Sequence, residues 1–291
     1  MNRIVSPPPI PERPKSGHKG LFGRVLIVGG NDEMLGAPVM AGTSALRCGA
    51  GLVQLAVPKS ILAAALSITP ELIGLALGNT ATPAELREAA DKADAIVVGP
   101  GLGQSKPAHD RLMRLVTLDK AMVIDADGLN MLAAGRRWPK TFKARAVLTP
   151  HPGEMKRLGK SLGIDSIPTD DDGRIDVATR ASKSFGQVIV LKGDRTVVAD
   201  GDRVYLNHTG DSSLSKAGSG DLLSGMIGTF LAQKMELFDA ACAAVHLHGR
   251  AGEIAGEEWG RRCVLAMDVI DALPDALMEY EEQFGTTPIA D

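Results

Sequence analysis

Short runs of aliphatic and β-branched residues alternate with longer segments of helical period along most of this chain, and this alternation limits its possible folds more than any other feature. Runs such as Ala95–Val98 and Val188–Leu191 contain no polar residue. Strands that are apolar on both faces, each followed by a helix, are typical of a parallel sheet covered by helices on both sides. We therefore predict an α/β fold with three layers, α/β/α, around a mostly parallel central sheet.

The same pattern predicts where the individual elements lie. Strands are predicted at residues 24–28, 52–57, 95–98, 122–124, 146–148 and 188–191, and helices at residues 37–48, 83–92, 108–116, 154–162, 176–185, 220–232, 237–252 and 266–280. Residues 200–202, Asp-Gly-Asp, separate two further β-like runs at 196–199 and 203–206. An Asp-Gly pair between such runs predicts a hairpin, so we expect an antiparallel pair at one edge of the sheet.

The chain as a whole is expected to form one domain, residues 21–282, with a peripheral segment at each end. Residues 1–20 are rich in proline, lysine and glycine and are expected to form an N-terminal arm or a disordered tail. Residues 283–291 are expected to form a C-terminal tail. The sequence contains no internal repeat and no low-complexity linker that would divide this domain.

The composition excludes several classes of protein. The formal net charge is −3, whereas nucleic-acid binding usually needs a basic excess. We find no apolar run long enough to cross a membrane and no apolar stretch of a secretory signal near the N-terminus. We therefore expect a cytoplasmic protein that binds neither nucleic acid nor a membrane. Its three cysteines, Cys48, Cys242 and Cys263, are expected to be reduced thiols.

Glycine and polar residues follow several of the predicted strands. These segments are residues 29–31, 99–103, 125–128, 149–154 and 192–193. In open parallel sheets, ligands bind beyond the carboxyl ends of the strands, so we predict the functional site at this edge of the sheet. His151 lies between two prolines in one of these segments, and we predict that it contacts a substrate.

The strongest functional signal is the segment at residues 216–225, Lys-Ala-Gly-Ser-Gly-Asp-Leu-Leu-Ser-Gly. Its glycines precede an apolar helix, so that backbone N–H groups and the positive end of the helix dipole can face an anion. We predict an anion hole formed by Gly218, Ser219 and Gly220, with Asp221 as a general base. The alternative is that Asp221 only stabilises the first turn of the helix, as a carboxylate does at that position.

Other site types fit the sequence less well. Gly29 and Gly30 follow a strand, but the G-x-G-x-x-G spacing of a dinucleotide-binding Rossmann fold is absent. His246 and His248 are two residues apart on a predicted helix, so they point to different faces and are not expected to share a metal ion. We predict no cluster of protein ligands for a metal.

Taken together, these motifs resemble those of the NAD(P)H-hydrate dehydratases, a family of the ribokinase superfamily. The resemblance rests on G-A-P at 36–38, A-L-R-C-G-A-G-L-V at 45–53, G-P-G-L-G at 99–103, D-A-D at 125–127, T-P-H-P-G-E at 149–154 and G-S-G-D at 218–221, and it covers about residues 20–275. The T-P-H-P-G-E element is specific, whereas the G-S-G-D loop also occurs in many sugar and vitamin kinases. The resemblance implies a ribokinase-like fold.

The resemblance also implies roles for individual residues. Those expected to contact an adenine nucleotide are Lys192, Gly193, Asp194, Arg195, Thr196 and Gly220. Those expected to contact a hydrated nicotinamide dinucleotide are Ala37, Gly101, Gly103, His151 and Asp221.

The implied reaction is the ADP- or ATP-dependent dehydration of the 6S hydrate of NADH or NADPH. The C6 hydroxyl would be phosphorylated and phosphate would then leave, giving NAD(P)H, phosphate and either AMP from ADP or ADP from ATP. Mg²⁺ would bridge the nucleotide phosphates. The family implies a homo-oligomer such as a tetramer. Only about 20 residues precede the first predicted strand, so the epimerase domain that often precedes this one is expected to be absent.

Two other functions remain open from the sequence. A vitamin or sugar kinase of the same fold would share the G-S-G-D loop but would release a stable phosphorylated product. A nucleotide sensor without catalytic activity would not need a base such as Asp221.

Overall fold

The apolar runs of the sequence form the strands of one large sheet. The structure is a computed structural model, and it describes residues 2–78, 84–135 and 140–289. The strands are β1 (Asn2–Ile4), β2 (Ile10–Pro11), β3 (Arg24–Val28), β4 (Leu52–Pro58), β5 (Ile73–Leu77), β6 (Ala95–Val98), β7 (Ala121–Ile124), β8 (Arg145–Leu148), β9 (Val188–Leu191), β10 (Val197–Ala199), β11 (Arg203–Leu206) and β12 (Thr286–Thr287).

Helices connect most of these strands. They are α1 (Gly36–Arg47), α2 (Lys59–Ile68), α3 (Ala84–Lys92), α4 (Lys106–Leu115), α5 (Ala126–Ala134), α6 (Pro152–Leu158), α7 (Asp171–Phe185), α8 (Ser219–Ala232), α9 (Leu237–Trp259) and α10 (Ala266–Phe284). Short 3₁₀ helices span Gly159–Leu162 and Ser212–Leu214. Among the described residues, no helix is both long enough and apolar enough to cross a bilayer.

The large sheet has ten strands in the order β5-β4-β3-β6-β7-β8-β9-β10-β11-β1. Neighbouring strands from β5 to β9 are parallel, whereas β10 is antiparallel to both β9 and β11. The strand order reverses between β3 and β6. Such a switch point opens a crevice at the carboxyl ends of the strands, where ligands bind in open α/β sheets.

Alternate residues of the central strands point into two hydrophobic cores on opposite faces of the sheet. In β3, Val25 and Ile27 belong to the core beneath α1, α2, α8, α9 and α10. Leu26 and Val28 belong to the core beneath α3, α4, α5, α6 and α7. Because both faces are covered, β6, β7 and β9 are apolar throughout. The predicted three layers and mostly parallel sheet are confirmed.

The predicted hairpin is confirmed as β10 and β11, but it does not form the edge of the sheet. Strand β1, from the N-terminal arm, pairs with β11 and becomes the outermost strand on that side. In the middle of the arm, β2 pairs with β12, and the Tyr280 hydroxyl donates to Pro8 O at 2.7 Å. The arm is therefore packed against the domain and is not a disordered tail.

Several local elements differ from the sequence-based prediction. Helices α2 and α5 and strand β5 were not predicted. The helix predicted at residues 83–92 corresponds to α3, with Pro83 outside the described residues. The helix predicted at 154–162 is α6 followed by a 3₁₀ turn. Helix α10 ends at Phe284, so the predicted C-terminal tail begins inside this helix.

Candidate active site

The N-terminus of α8 lies over the carboxyl ends of the central strands. Helix α8 packs against α1 and against β3, β6 and β7. Glycine allows the close approach to α1, because a Cβ at Gly225 would lie 2.0 Å from Ala41 O. The helix is therefore held with its first turn above the glycine and polar segments that follow the strands.

The loop before α8 has the conformation that the sequence motif predicts. Gly218 is the N-cap of α8, with φ of 96°, in the left-handed region that favours glycine. Ser219 and Gly220 follow in the first turn, where N–H groups have no partner one turn earlier in the helix. The Ser219 N–H donates to Lys216 O over 3.4 Å, so this amide is weakly engaged. The arrangement suits an anion at the helix N-terminus.

A buried ion pair lies directly below this turn. Lys192, just after β9, donates from Nζ to Asp125 Oδ1 at 2.9 Å, and the two side chains are 20% and 2% exposed. Ser224 of α8 donates to the other oxygen, Asp125 Oδ2, at 2.7 Å. A Cβ at Gly220 would lie 3.1 Å from Lys192 Nζ. The ammonium therefore stands against the backbone of the predicted anion hole.

Burial and the opposite charge of the partner shift the pKa values of Asp125 and Lys192 in opposing directions. Burial alone would raise the pKa of Asp125, but the positive charge of Lys192 and hydrogen bonds from Lys192 and Ser224 outweigh burial and lower it. Burial would lower the pKa of Lys192, but the negative charges of Asp125 and Glu154 raise it. Both members of the pair therefore stay charged at neutral pH.

Asp221, the predicted base, is the third residue of α8. Burial and the negative charge of Asp125 raise the pKa of its carboxyl to about 7, although Lys192 opposes this shift. Within the described residues, its carboxylate accepts no hydrogen bond from a first-turn amide, and the N-cap is Gly218. Asp221 therefore does not cap α8 through a hydrogen bond, but its position in the first turn still allows its charge to favour the helix dipole. A carboxyl whose pKa is near 7 is well matched to proton transfer at neutral pH.

A cleft of about 570 Å³ opens beside this turn. It is bounded by the segment after β9, the segment between β11 and α8, the start of α8 and one face of α9. The predicted residues that line it are His151, Lys192, Gly193, Asp194, Arg195, Thr196, Ser219 and Gly220. All six residues predicted to contact the nucleotide are therefore brought together at one cleft.

The residues predicted to contact the hydrate are divided between two places. Gly101 and Ala37 lie at the switch point, and a Cβ at Gly101 would stand 3.1 Å from Ala37 Cβ. Gly103 follows in the same loop, and its N–H donates to Asp127 Oδ2 at 2.8 Å. These residues do not line the cleft, whereas His151 does.

His151 also has a structural role that its position in the sequence did not predict. It is the N-cap of α6, and its Nδ1 accepts from Gly153 N–H at 3.0 Å. Glu154 completes a capping box by accepting from His151 N–H at 2.8 Å. The His151 side chain is 51% exposed, so its ring can reach a ligand while it caps the helix.

Three residues of the site were not predicted from the sequence to have a role of their own. They are Asp125, Glu154 and His248. Asp125 and Glu154 stood inside recognised motifs, but nothing local indicated that their carboxylates would meet Lys192. His248 was interpreted as a core or solvated histidine. It is buried, lines the cleft, and its Nε2 lies 3.0 Å from Ser219 Oγ. Burial lowers the pKa of His248 to about 4, so its imidazole is neutral at physiological pH.

No group of three or more His, Cys, Asp or Glu side chains that could hold a metal ion occurs in the part of the chain that the structure describes. The site is nevertheless rich in buried carboxyl groups. Burial and the charge of Asp125 raise the pKa of Glu154, while the charge of Lys192 opposes this shift. This donor set fits Mg²⁺ of the kind that keeps several waters and is held mainly by substrate phosphates.

The sheet order, the switch point and the glycine loop that places Asp221 at a helix N-terminus define a protein of the ribokinase-like class. A ribokinase-like superfamily protein from Enterococcus faecalis V583 has the same fold, with a TM-score of 0.75 and 25% sequence identity over 94% of this chain and 92% of that chain. Within that class, residues 25–275 match the family of NAD(P)H-hydrate dehydratases. The chain belongs to this family.

Individual relatives agree with this assignment. A bifunctional NAD(P)H-hydrate repair enzyme from Moorella thermoacetica is 39% identical over 95% of this chain. The chain spans about half the length of that relative, 53%. An ADP-dependent (S)-NAD(P)H-hydrate dehydratase from Neisseria meningitidis serogroup B is 37% identical over 85% of this chain and 82% of its own length.

A solved structure of the same family is also similar. The ADP/ATP-dependent NAD(P)H-hydrate dehydratase from Bacillus subtilis, co-crystallised with ATP and Mg²⁺, has a TM-score of 0.79. It is 31% identical, with 94% of this chain and 95% of that chain covered.

Proposed function

We propose that this chain dehydrates the hydrate of NADH or NADPH in a reaction driven by ADP or ATP. The position of Asp221 carries the proposal. Its half-buried carboxyl, with a pKa of about 7, stands in the first turn of α8. The adjacent cleft of about 570 Å³ is within the range that small-molecule sites occupy. The names of the relatives from Neisseria meningitidis and Bacillus subtilis support the same reaction.

The two substrates would approach Asp221 from opposite sides. The adenine nucleotide would occupy the cleft, along Gly193 and Thr196, with its phosphates directed to the N-terminus of α8. The hydrated nicotinamide would lie at the switch point, against Ala37 and Gly101. The cleft lining and the closeness of Gly101 to Ala37 support this division.

The residues would act in two steps, phosphoryl transfer to the C6 hydroxyl and then loss of phosphate. Asp221 would accept the proton of the C6 hydroxyl as that oxygen attacks the terminal phosphoryl group of the nucleotide. The amides of Gly218 and Gly220 and the Lys192 ammonium would stabilise the charge that develops on the phosphoryl oxygens. Phosphate would then leave C6, pushed by the ring nitrogen, and loss of a proton from the neighbouring carbon would restore the double bond.

A magnesium ion would enter with the nucleotide. It would neutralise charge on the phosphates, and Glu154 is the carboxylate that would hold it, through water. The raised pKa of Glu154 supports this role, because a nearby cation would relieve the cost of its buried negative charge.

Product analysis distinguishes this function from that of a kinase. The protein is incubated with NADH hydrate, Mg²⁺ and either ADP or ATP, and the products are separated by chromatography. The proposal predicts free phosphate, NADH and AMP or ADP in equal amounts. A stable phosphorylated compound without free phosphate would assign the chain to the vitamin or sugar kinases.

Reaction rate should depend on the protonation of Asp221. Because burial and Asp125 raise its pKa to about 7, the base is protonated and inactive below that pH. We expect kcat/KM to fall about tenfold for each pH unit below neutrality, since this parameter reports the groups of the free enzyme. Initial rates from mildly acidic to mildly alkaline pH test this, and a flat profile across neutrality would contradict it.

His151 should affect both stability and hydrate binding. His151→Ala removes the cap of α6 and is expected to cost about 1 kcal/mol of unfolding free energy. His151→Asn keeps a capping side chain and should stay close to wild-type stability. We propose that the hydrated dinucleotide extends from the switch point to His151, which also lines the cleft, so both variants should raise KM for the hydrate more than KM for the nucleotide. If His151→Asn restored full hydrate affinity, His151 would be only a cap.

Assembly and location remain predictions. We propose a homo-oligomer in the cytoplasm, and sedimentation of the purified chain tests the first of these.

A further inference from the structure

The segment that lines one wall of the cleft is supported from behind by a buried arginine. Arg174 lies on α7 and is 6% exposed. Its Nη2 donates to Leu191 O at 3.0 Å and to Lys192 O at 3.3 Å. These carbonyls belong to the last residue of β9 and the first residue of the segment that follows it. Arg174 itself does not line the cleft.

The backbone of this segment, residues 192–196, packs directly against the guanidinium. A Cβ at Gly193 would lie 2.8 Å from Arg174 Nη2, and Gly193 has φ of 153°. Arg195, two residues further on, has φ of 53° although it is not glycine. Glycine adopts a positive φ without strain, whereas the conformation of Arg195 costs free energy and persists only where the surroundings enforce it.

The N-terminal part of α7 contacts both unusual residues. Arg174 holds the backbone next to Gly193, and Asp171 accepts from Arg195 Nη1 at 2.7 Å. The first of these contacts is buried and the second is half-exposed. Two anchors on one helix thus fix the segment at its beginning and near its end.

Burying the charged side chain of Arg174 in the core also costs free energy. A buried guanidinium needs partners for all its donors. Its Nε has no hydrogen-bond partner among the described residues. A residue that only filled space at this position could be a methionine or leucine, without the cost of a buried charge. The arrangement is therefore better explained by what Arg174 does to the segment above it.

We propose that Arg174 is a positioning residue that holds residues 192–196 in the shape required to bind the nucleotide, and so sets nucleotide affinity without touching the nucleotide. The inference rests on the proposed function only in assigning the cleft to the nucleotide. Because the hydrate would lie at the switch point, its binding is expected to be independent of Arg174.

The first test measures affinity. Arg174→Met keeps a long apolar side chain and removes both hydrogen bonds, and it should weaken ADP and ATP binding about tenfold, the loss typical of hydrogen bonds to a charged group. KM for the hydrate should change by less than about twofold. Arg174→Lys keeps a charged donor and should lose about threefold, between wild type and Arg174→Met.

The control is another buried arginine that binds a backbone carbonyl. Arg111 on α4 is 6% exposed and donates from Nη2 to Gly78 O, away from the cleft. Arg111→Met should lower the melting temperature without changing nucleotide affinity. If Arg111→Met weakened nucleotide binding as much as Arg174→Met, or if Arg174→Met bound nucleotide like wild type, the inference would be wrong.

A second measurement needs no nucleotide. Amide hydrogen exchange at residues 193–196 should be faster in Arg174→Lys and Arg174→Met than in wild type and Arg111→Met. If wild type bound no adenine nucleotide, the proposed function would fail while this comparison still decided whether Arg174 orders the segment. Unchanged exchange in both Arg174 variants would overturn the positioning role itself.

Discussion

Asp221→Asn is expected to lower kcat by about 10²–10⁴-fold, the usual loss when a general base is removed. The substitution keeps the size and polarity of the side chain but removes its capacity to accept the hydroxyl proton. Nucleotide affinity should change little, because Asp221 does not line the cleft. Single-turnover rates with saturating NADH hydrate and nucleotide measure the effect, and turnover within a few-fold of wild type would mean that Asp221 is not the base.

Whereas kcat of Asp221→Asn should fall, its unfolding free energy should stay the same or rise. The pKa of Asp221 is raised in the folded state to about 7, so this group contributes stability that is lost as pH rises from about 4 to about 7. Asp221→Asn removes that loss and should be at least as stable as wild type at pH 8. A melting temperature well below that of wild type would mean that lost folding, and not lost chemistry, explains the lower rate.

Asp239 provides a matched control for this variant. It is also in the first turn of a helix, α9, and burial raises the pKa of its carboxyl. Its partner is Arg203, 3.4 Å away, and neither residue lines the cleft. Asp239→Asn should therefore leave kcat unchanged, which separates the loss of the reactive carboxylate from the loss of any half-buried carboxylate.

Asp125→Ala is expected to destabilise the fold by about 3–5 kcal/mol, since removing one partner of a buried ion pair leaves the other charge without compensation. Lys192 would remain largely buried beneath the first turn of α8, and Ser224 would keep only Gly220 O as an acceptor. Urea denaturation measures the change in unfolding free energy. A loss below about 1 kcal/mol would show that the pair is no stronger than an exposed one.

The control for this variant is an exposed pair on the same molecule. Asp91 accepts from Arg87 Nε at 3.0 Å within α3, and both side chains are more than half exposed, 52% and 61%. Asp91→Ala should have little effect on urea denaturation, because solvent screens such pairs. Similar losses of unfolding free energy for Asp91→Ala and Asp125→Ala would show that burial does not strengthen the pair between Asp125 and Lys192.

The central sheet could be predicted because its signal is local. Strands such as β6 and β9 are buried on both faces, so each is a continuous apolar run that needs no knowledge of its neighbours. The hairpin was predicted from an equally local signal, the Asp-Gly pair at residues 200–201, and Gly201 does occupy its turn with φ of 98°. In contrast, β5 is an edge strand with exposed residues such as Ile73, and this weakens its pattern.

Other parts depend on contacts that no local pattern contains. Strand β1 forms only because it pairs with β11, about 200 residues further along the chain. Helix α5 begins at Ala126, whose φ of 48° is unusual for alanine, inside a segment that resembles a strand-end loop. Long-range pairing and an unusual backbone conformation at a functional site both lie outside what periodicity can reveal.

The same distinction applies to the candidate site. Residues 192–196, which were predicted to contact a nucleotide, all line one cleft because they are consecutive in the sequence and follow one strand. The contact between Lys192 and Asp125 joins residues 67 positions apart, and that between Ser219 and His248 joins residues 29 apart. The sequence contained the right residue types, but only the fold shows which of them meet.

The proposed reaction is tested most directly by following dihydronicotinamide absorbance after NADH hydrate is mixed with the protein, Mg²⁺ and ADP or ATP. We expect absorbance to return only when nucleotide is present, and at the full rate only when Asp221 is intact. Asp221→Asn, measured beside wild type, shows whether any recovery comes from this site. Absence of recovery with either nucleotide, or equal recovery with wild type and Asp221→Asn, would contradict the account.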